Sequence, residues 1–493
     1  MINKYLFLEK EIEEINKVNN IISLVTWDIA VNMPIGSIES RSDEISLLGS
    51  IVRSGLKSNK INDLISAAEG EVKHLDSWQL ANLREIKKLV KITNCIEDGL
   101  YERYVAASIK SELIWRKARI DNDFDLLAPY LEDILICIRE IASAKANVMG
   151  CSKYDALIDE YDPGRKSSEI KNIFKVLKNN LPEIIGTIAD KQKSRSVLKI
   201  KPMPINQQRL IAKKIIEAMG FDFSCGRLDE STHPFCGGTP FDVRITNRYD
   251  SKDFLSGVMN IVHETGHALY EQHLPIKYKN QPVGKARGMT IHESQSLFME
   301  MQIGRSREFF AFLSKLLRDE FNFKGKEYSI DNLYKLSTKV NPSFIRVDAD
   351  EVTYPMHVIL RFEIEELLIN NEIRLHEIPK IWNEKMYRYL GIVPKSDKNG
   401  CLQDIHWFNG WFGYFPAYTL GAITASMLMN KLGNSSMLEI SEGNFHSINE
   451  FLDKKIWSIG SLKDTDSLIK NAFGEDKINP VIFLDYLLQK YQK

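Results

Sequence analysis

Apolar residues recur at helical spacing along most of this chain, and that repeat is the strongest constraint on what it can fold into. Between residues 122 and 149, Leu126, Leu127, Tyr130, Leu131, Ile134, Leu135 and Ile138 trace one wide stripe. Side chains three and four apart share a helix face, so such a stripe must bury against a partner. The same pattern predicts helices over 6–25, 78–118, 122–149, 167–193, 206–219, 252–274, 290–318, 355–392, 417–431 and, with interruptions, 447–492. Strand signals are few. They gather in 221–249, where Pro, Gly and Thr punctuate short runs, and are best from Phe241 to Thr246. No repeat, low-complexity tract or Pro/Gly/Ser linker divides the chain. The expectation is a mainly α, single large helical fold with a small β-sheet inserted near its middle.

Composition narrows the function classes. Lys+Arg at 65 against Asp+Glu at 66 leaves a net charge of −1, whereas nucleic acid or an anionic membrane calls for a basic excess. No nucleic-acid or membrane partner is expected. The opening MINKYLFLEKEIEEINK has a three-residue apolar burst, far short of the roughly 7–15 apolar residues of a secretory signal. The six cysteines show no Cys-x-x-Cys pair and read as reduced thiols of a cytoplasmic protein. Trp407 to Asn430 carries no charge, yet Asn409, Gly410, Gly413, Pro416 and Gly421 interrupt it. That stretch reads as a buried loop and helix lining a site rather than a membrane span.

Chemistry enters at His263-Glu264-Thr265-Gly266-His267. On a helix, positions i and i+4 face the same way, so both imidazoles can reach one metal ion. Glu264 is placed to act as general base toward a water there. Phe254, Val258, Ile261 and Val262 supply the apolar side that such a helix needs. Five of the ten histidines (His233, His263, His267, His273, His292) fall between 233 and 292, which strengthens the metal reading. Two histidines need a third protein ligand and an open position. Glu293, 26 residues after His267, is the natural choice if an antiparallel helix returns it, with His292 and His273 as alternatives. His273 lies about 600° around the helix from His267, well off the ligand face. His292 reads as sitting behind the metal or contacting substrate.

At this point the sequence resembles the carboxypeptidase Taq family of metallocarboxypeptidases, nearly end to end. The resemblance rests on Asp229-Glu-Ser-Thr-His-Pro-Phe235, Asp242-Val-Arg-Ile-Thr246, the His263–His267 motif and His292-Glu-Ser-Gln295. It continues through Ile345-Arg-Val-Asp-Ala-Asp-Glu351, Tyr354-Pro-Met-His357, Gln403-Asp-Ile-His-Trp407 and Gly413-Tyr-Phe-Pro-Ala-Tyr418. Trp27-Asp28, Met33-Pro34 and Arg41 look like the family's opening, although Ile29 stands where Gln is usual and Met301 where Asn is common.

The resemblance implies a deeply grooved, neurolysin-like zincin architecture, with an N-terminal helical wall over about 1–200 and a metal and substrate core over about 201–493. It also implies a homodimer that removes single residues from the free C-termini of peptides with broad specificity. Mapped here, the metal ligands are His263, His267 and Glu293 and the general base is Glu264. The metal is zinc, one per subunit, with cobalt as the alternative. A zinc endopeptidase of similar architecture and an inactive peptide-binding scaffold are the competing readings.

A C-terminal carboxylate calls for a guanidinium fork. Arg346 is the first candidate and Arg244 the second, unless Arg244 holds the sheet edge against Asp242 or Glu351. Tyr418, with His406, is the candidate oxyanion donor, and Tyr414 a substrate contact. His233 either meets the substrate backbone or orders its loop. His357 should share a helix face with Arg361 and line the substrate or support the site. Asp348, Asp350 and Glu351 either accept from a metal-bound imidazole or cap a helix.

Overall fold

The computed structural model describes residues 4–491. The chain opens with α1 (Lys4–Val31), α2 (Ile38–Lys57), α3 (Asn59–Glu69) and α4 (Ser77–Cys95). Tyr5, Leu8, Ile12, Leu56, Ile61, Ile65, Ile86 and Val90 give these four helices an apolar cluster of their own. Then follow α5 (Asp98–Asp121), α6 (Phe124–Met149), α7 (Lys153–Tyr161), α8 (Ser167–Gln192) and α9 (Ile205–Met219). The stripe on α6 buries Leu127, Leu131, Ile134, Leu135 and Ile138 almost completely. Each such side chain contributes about 1.5–3 kcal/mol, so this one face anchors the helix in the main core.

The predicted helix over 78–118 is two helices. Ile96 and Glu97 adopt extended backbone between α4 and α5. Ile96 turns inward against Leu100, Cys137 and Ile141, and its freed carbonyl accepts from Arg53 and Lys57.

Strands β1 (Gly226–Glu230), β2 (Cys236–Thr239) and β3 (Asp242–Asn247) form a sheet of order β1-β3-β2 within the predicted 221–249 segment. Leu228 pairs with Ile245 in parallel, and Cys236 faces the same Ile245 from the antiparallel side. Trp27, near the end of α1, is buried with its ring 5.0 Å from that of Phe235, which joins the sheet to the N-terminal helices.

The second half holds α10 (Phe254–Gln272), α11 (Gly288–Leu297), a π-turn (Phe298–Gly304), α12 (Arg307–Asp319) and α13 (Ile330–Ser337). It continues with α14 (Tyr354–Ile369), α15 (Ile378–Leu390), α16 (Pro416–Lys431), α17 (Asn434–Ile440), α18 (His446–Lys455), α19 (Thr465–Phe473) and α20 (Pro480–Tyr491). Predicted segments 290–318 and 355–392 are thus interrupted. The first break is the π-turn and the Ser306 cap of α12; the second follows Asn371, whose φ of 61° ends α14. The uncharged stretch from Trp407 folds as a buried turn leading into α16, with Trp407, Phe408, Phe412 and Phe415 enclosed. No described helix is long and apolar enough to cross a membrane, and the six cysteines are free thiols.

Candidate metal centre and active site

Two glycines set the spacing of the site. A Cβ on Gly266 of α10 would lie 2.6 Å from the Gln295 carbonyl oxygen and 2.7 Å from the Ser296 Cα. On the other side of α11, a Cβ on Gly421 of α16 would lie 2.9 Å from the Cβ of Glu293. Only hydrogen side chains allow so close an approach, so α11 is held between α10 and α16 with Glu293 in the seam.

That packing brings His263, His267 and Glu293 together, each offering a ligand atom within 4.8 Å of the others. His263 Nε2 lies 3.7 Å from Glu293 Oε1, and His267 Nε2 lies 3.5 Å from Glu293 Oε2. Donors bonded tetrahedrally at about 2.0–2.2 Å to zinc stand about 3.3 Å apart, so these separations fit such an ion. The donor set also fits chemically. His263 turns its other nitrogen, Nδ1, to Glu300 at 2.9 Å, which leaves Nε2 for the metal. Glu300 in turn takes a 2.6 Å hydrogen bond from Arg305.

The field at the centre is anionic. Burial disfavours charge on His263, but Glu300, Glu293 and Glu264 outweigh it and raise its pKa to about 10. Burial, with His292 adding to it, lowers His267 to about 4. Three carboxylates that hold a proton on an enclosed imidazole would also hold a dication in its place. Glu264 is 6% exposed, and burial raises it to about 7 despite the nearby His263. A carboxyl poised near neutrality suits proton transfer in both directions.

His292 does not join the ligand set. Its ring stacks on His267, with centroids 4.6 Å apart, and its Nε2 lies 2.7 Å from Glu271. His273 turns its Nδ1 to the carbonyl of Leu269, 2.8 Å away on its own helix.

A second polar group centres on Asp404. Arg346 donates to it through Nε at 3.0 Å, and Arg361 through Nε at 2.6 Å. Two guanidinium groups against one carboxylate leave a surplus positive charge in a buried setting. Arg346 also reaches Tyr354 Oη at 3.1 Å and lies under the Tyr418 ring, 4.7 Å from its centroid. Tyr418 Oη is 3.1 Å from His406 Nε2, and burial next to Arg346 lowers His406 to about 3, so the imidazole is neutral. Tyr414 stands beside them, its ring 5.2 Å from Tyr418 and 5.4 Å from His406.

The remaining candidates have settings of their own. Arg244 pairs with Asp242 two residues away on β3, at 2.9 Å, and lies over the Trp27 ring. The loop carrying His233 is ordered by Ser231, Thr246 and Phe235, and the His233 ring has no hydrogen-bond partner among the described residues. His357 shares the buried side of α14 with Arg361 and is fully enclosed. Asp350 caps the amides of Val352 and Thr353, and Glu351 accepts from α20. Neither accepts from an imidazole. Glu300 does that instead, and because it stands in the π-turn no α-helical spacing marks it in the sequence. Asp404, the last charge before the uncharged stretch, was visible; Arg361 and Glu271 were not distinguished from surface charges by any local pattern.

Comparison with known proteins agrees with this geometry. Residues 7–491 match the family described as carboxypeptidase Taq (M32) metallopeptidase. Carboxypeptidase 1 of Bacillus subtilis is 33% identical over 489 residues, covering 97% of this chain and 96% of that relative. Thermostable carboxypeptidase 1 of Thermus thermophilus is 33% identical over 485 residues, covering 95% and 94%. Among solved structures, Trypanosoma cruzi metallocarboxypeptidase 1 superposes with a TM-score of 0.96 at 37% identity, each chain covered completely. A Pyrococcus furiosus carboxypeptidase gives 0.94 at 29% identity, covering 100% of this chain and 99% of the other. The chain therefore belongs to the carboxypeptidase Taq metallopeptidases, hydrolases that take peptides as substrates and need a divalent metal.

Proposed function

We propose that this protein is a zinc-dependent carboxypeptidase that removes single residues from peptide C-termini with broad specificity. The observation that carries the reading is the convergence of His263, His267 and Glu293 beside the enclosed Glu264. A divalent ion held there supplies a Lewis acid and lowers the pKa of water. Cobalt is the alternative metal.

Glu264 takes the proton of the attacking water and later passes it to the leaving amine. Tyr418 and His406 hold hydrogen-bond donors where the oxyanion develops, each worth on the order of 3 kcal/mol when aligned. Arg346 receives the substrate's terminal carboxylate, a role supported by the surplus cation of the Arg346–Asp404–Arg361 group. Tyr414 and His233 contact the peptide, and His357 supports α14 from behind. Arg244 serves the substrate through the sheet edge it braces. The N-terminal helices up to about residue 200 wall a groove over the metal and substrate core of the single catalytic domain, and the protein works as a homodimer in the cytoplasm.

The test compares one peptide with a free and with an amidated C-terminus, read by mass spectrometry. Trimming of the free form alone is expected. Equal cleavage of the amidated form would identify an endopeptidase instead.

A further inference from the structure

The charged groups that catalysis leaves unused gather behind the metal centre, and they tie it to the end of the chain. Glu351 is 1% exposed, yet it accepts from three residues of a single helix: Tyr486, Lys490 at 2.8 Å and Tyr491 at 2.8 Å. Lys490 also donates to the carbonyl of Met301 at 2.8 Å, and Tyr486 Oη, whose one proton goes to Glu351, lies 3.2 Å from the same carbonyl. Met301 lies in the π-turn that interrupts the helical run after α11. The next amides along, those of Arg305 and Ser306, bond the carbonyl of Ile303 instead. The Met301 carbonyl is thus left over by the helix, and α20 satisfies it from outside.

The residue before Met301 is Glu300, whose carboxylate meets both His263 and Arg305. Glu300, Arg305, Glu351 and Lys490 form a buried set with two charges of each sign. Such sets add little net stability over a packed apolar core, but they fix one arrangement against others. A π-turn is a register choice, because the same residues continued as an α-helix would shift Glu300 along and around the helix axis relative to His263.

We propose that α20 is a positioning element of the metal centre. Its Lys490 bonds both the Met301 carbonyl and Glu351, Tyr486 adds a bond to Glu351, and together they hold the π-turn in the register that aims Glu300 at His263. The inference rests on reading His263 as a ligand for a divalent cation such as zinc.

Zinc affinity of the full chain, measured by competition with a chromophoric chelator, tests it. Lys490→Met should weaken zinc binding about 10-fold, within the range seen when a ligand's supporting group is lost. Lys490→Arg, which keeps the charge and donors, should restore it. Leu487→Ala removes a fully buried side chain of the same helix that is bonded to neither acceptor. It should lower the melting temperature and leave zinc affinity unchanged. If Lys490→Met fails to fold, Tyr486→Phe, which removes a donor from Glu351 and an acceptor from Lys490, should weaken zinc by a few-fold. Wild-type affinity in the folded Lys490 or Tyr486 variant, or an equal loss in Leu487→Ala, would overturn the proposal. A wild-type chain that takes up no zinc in the same titration would overturn the metal-centre reading itself.

Discussion

At the scale of single residues, Arg346 carries the claim to C-terminal specificity. Its guanidinium is buried among Asp404, Tyr354 and the Tyr418 ring. In Arg346→Ala, Asp404 keeps Arg361, so no carboxylate is orphaned and the loss falls on substrate recognition. Truncating one partner of a buried charge pair costs about 2–5 kcal/mol, so kcat/KM for free-ended peptides should fall about 30-fold or more. An unchanged kcat/KM would remove Arg346 from the site.

Glu300 makes a prediction about acid. Burial opposes its charge, but Arg305 and His263 pull its pKa down from 4.5 to about 2. A carboxylate depressed in the folded state stabilises the fold above its unfolded pKa and loses that contribution as pH falls through the folded one. In the metal-free chain, then, about 3 kcal/mol should disappear between about pH 4.5 and pH 2. Urea unfolding should show Glu300→Gln with a shallower loss of stability over that window than wild type. Parallel curves would mean that Glu300 is not held as an ion.

Gly266 turns the element scale into a test with opposite signs. Helix propensity alone says that Gly266→Ala, in the middle of α10, should stabilise by up to about 1 kcal/mol. Packing says the reverse, because the new methyl would meet the backbone of α11 rather than a yielding side chain. Overfilling a close contact costs about 1–3 kcal/mol, and here it would also move Glu293 from His263 and His267. Gly266→Ala should therefore unfold at lower denaturant and bind metal more weakly. A more stable variant would refute the close-approach argument.

The elements also show what the sequence could and could not convey. The α6 stripe and the His263–His267 spacing are written in neighbouring residues, so helix and ligand face followed from periodicity alone. The break at Ile96 was illegible, because it depends on Arg53 and Lys57 of α2 capping a carbonyl some forty residues away. The π-turn was hidden for the same reason: its freed carbonyl is answered by α20, nearly two hundred residues later.

Across the whole molecule, sites are assembled from contacts distant in sequence. Glu365 shows this most plainly. It accepts from Tyr154 Oη at 2.7 Å, Trp407 Nε1 at 2.8 Å and the Gly413 amide at 2.9 Å. One buried carboxyl thus joins α7, α14 and the turn that leads to Tyr414 and Tyr418. No local pattern in 354–369 separates Glu365 from an ordinary helix glutamate, whereas the motifs around it were readable because each is contiguous. The His263, His267 and Glu293 cluster was legible residue by residue, and the scaffold that aims it was not.

The central claim is that one metal centre built from His263, His267 and Glu293 trims peptides from their free end. Its most direct test is a time course of one unblocked peptide with the purified protein, run with chelator, without it, and with zinc restored, each read by mass spectrometry. A ladder of single-residue losses from the C-terminus, abolished by chelation and brought back by zinc, is the expected result. Trimming that survives full removal of metal, or an intact peptide in the presence of fully loaded protein, would contradict it.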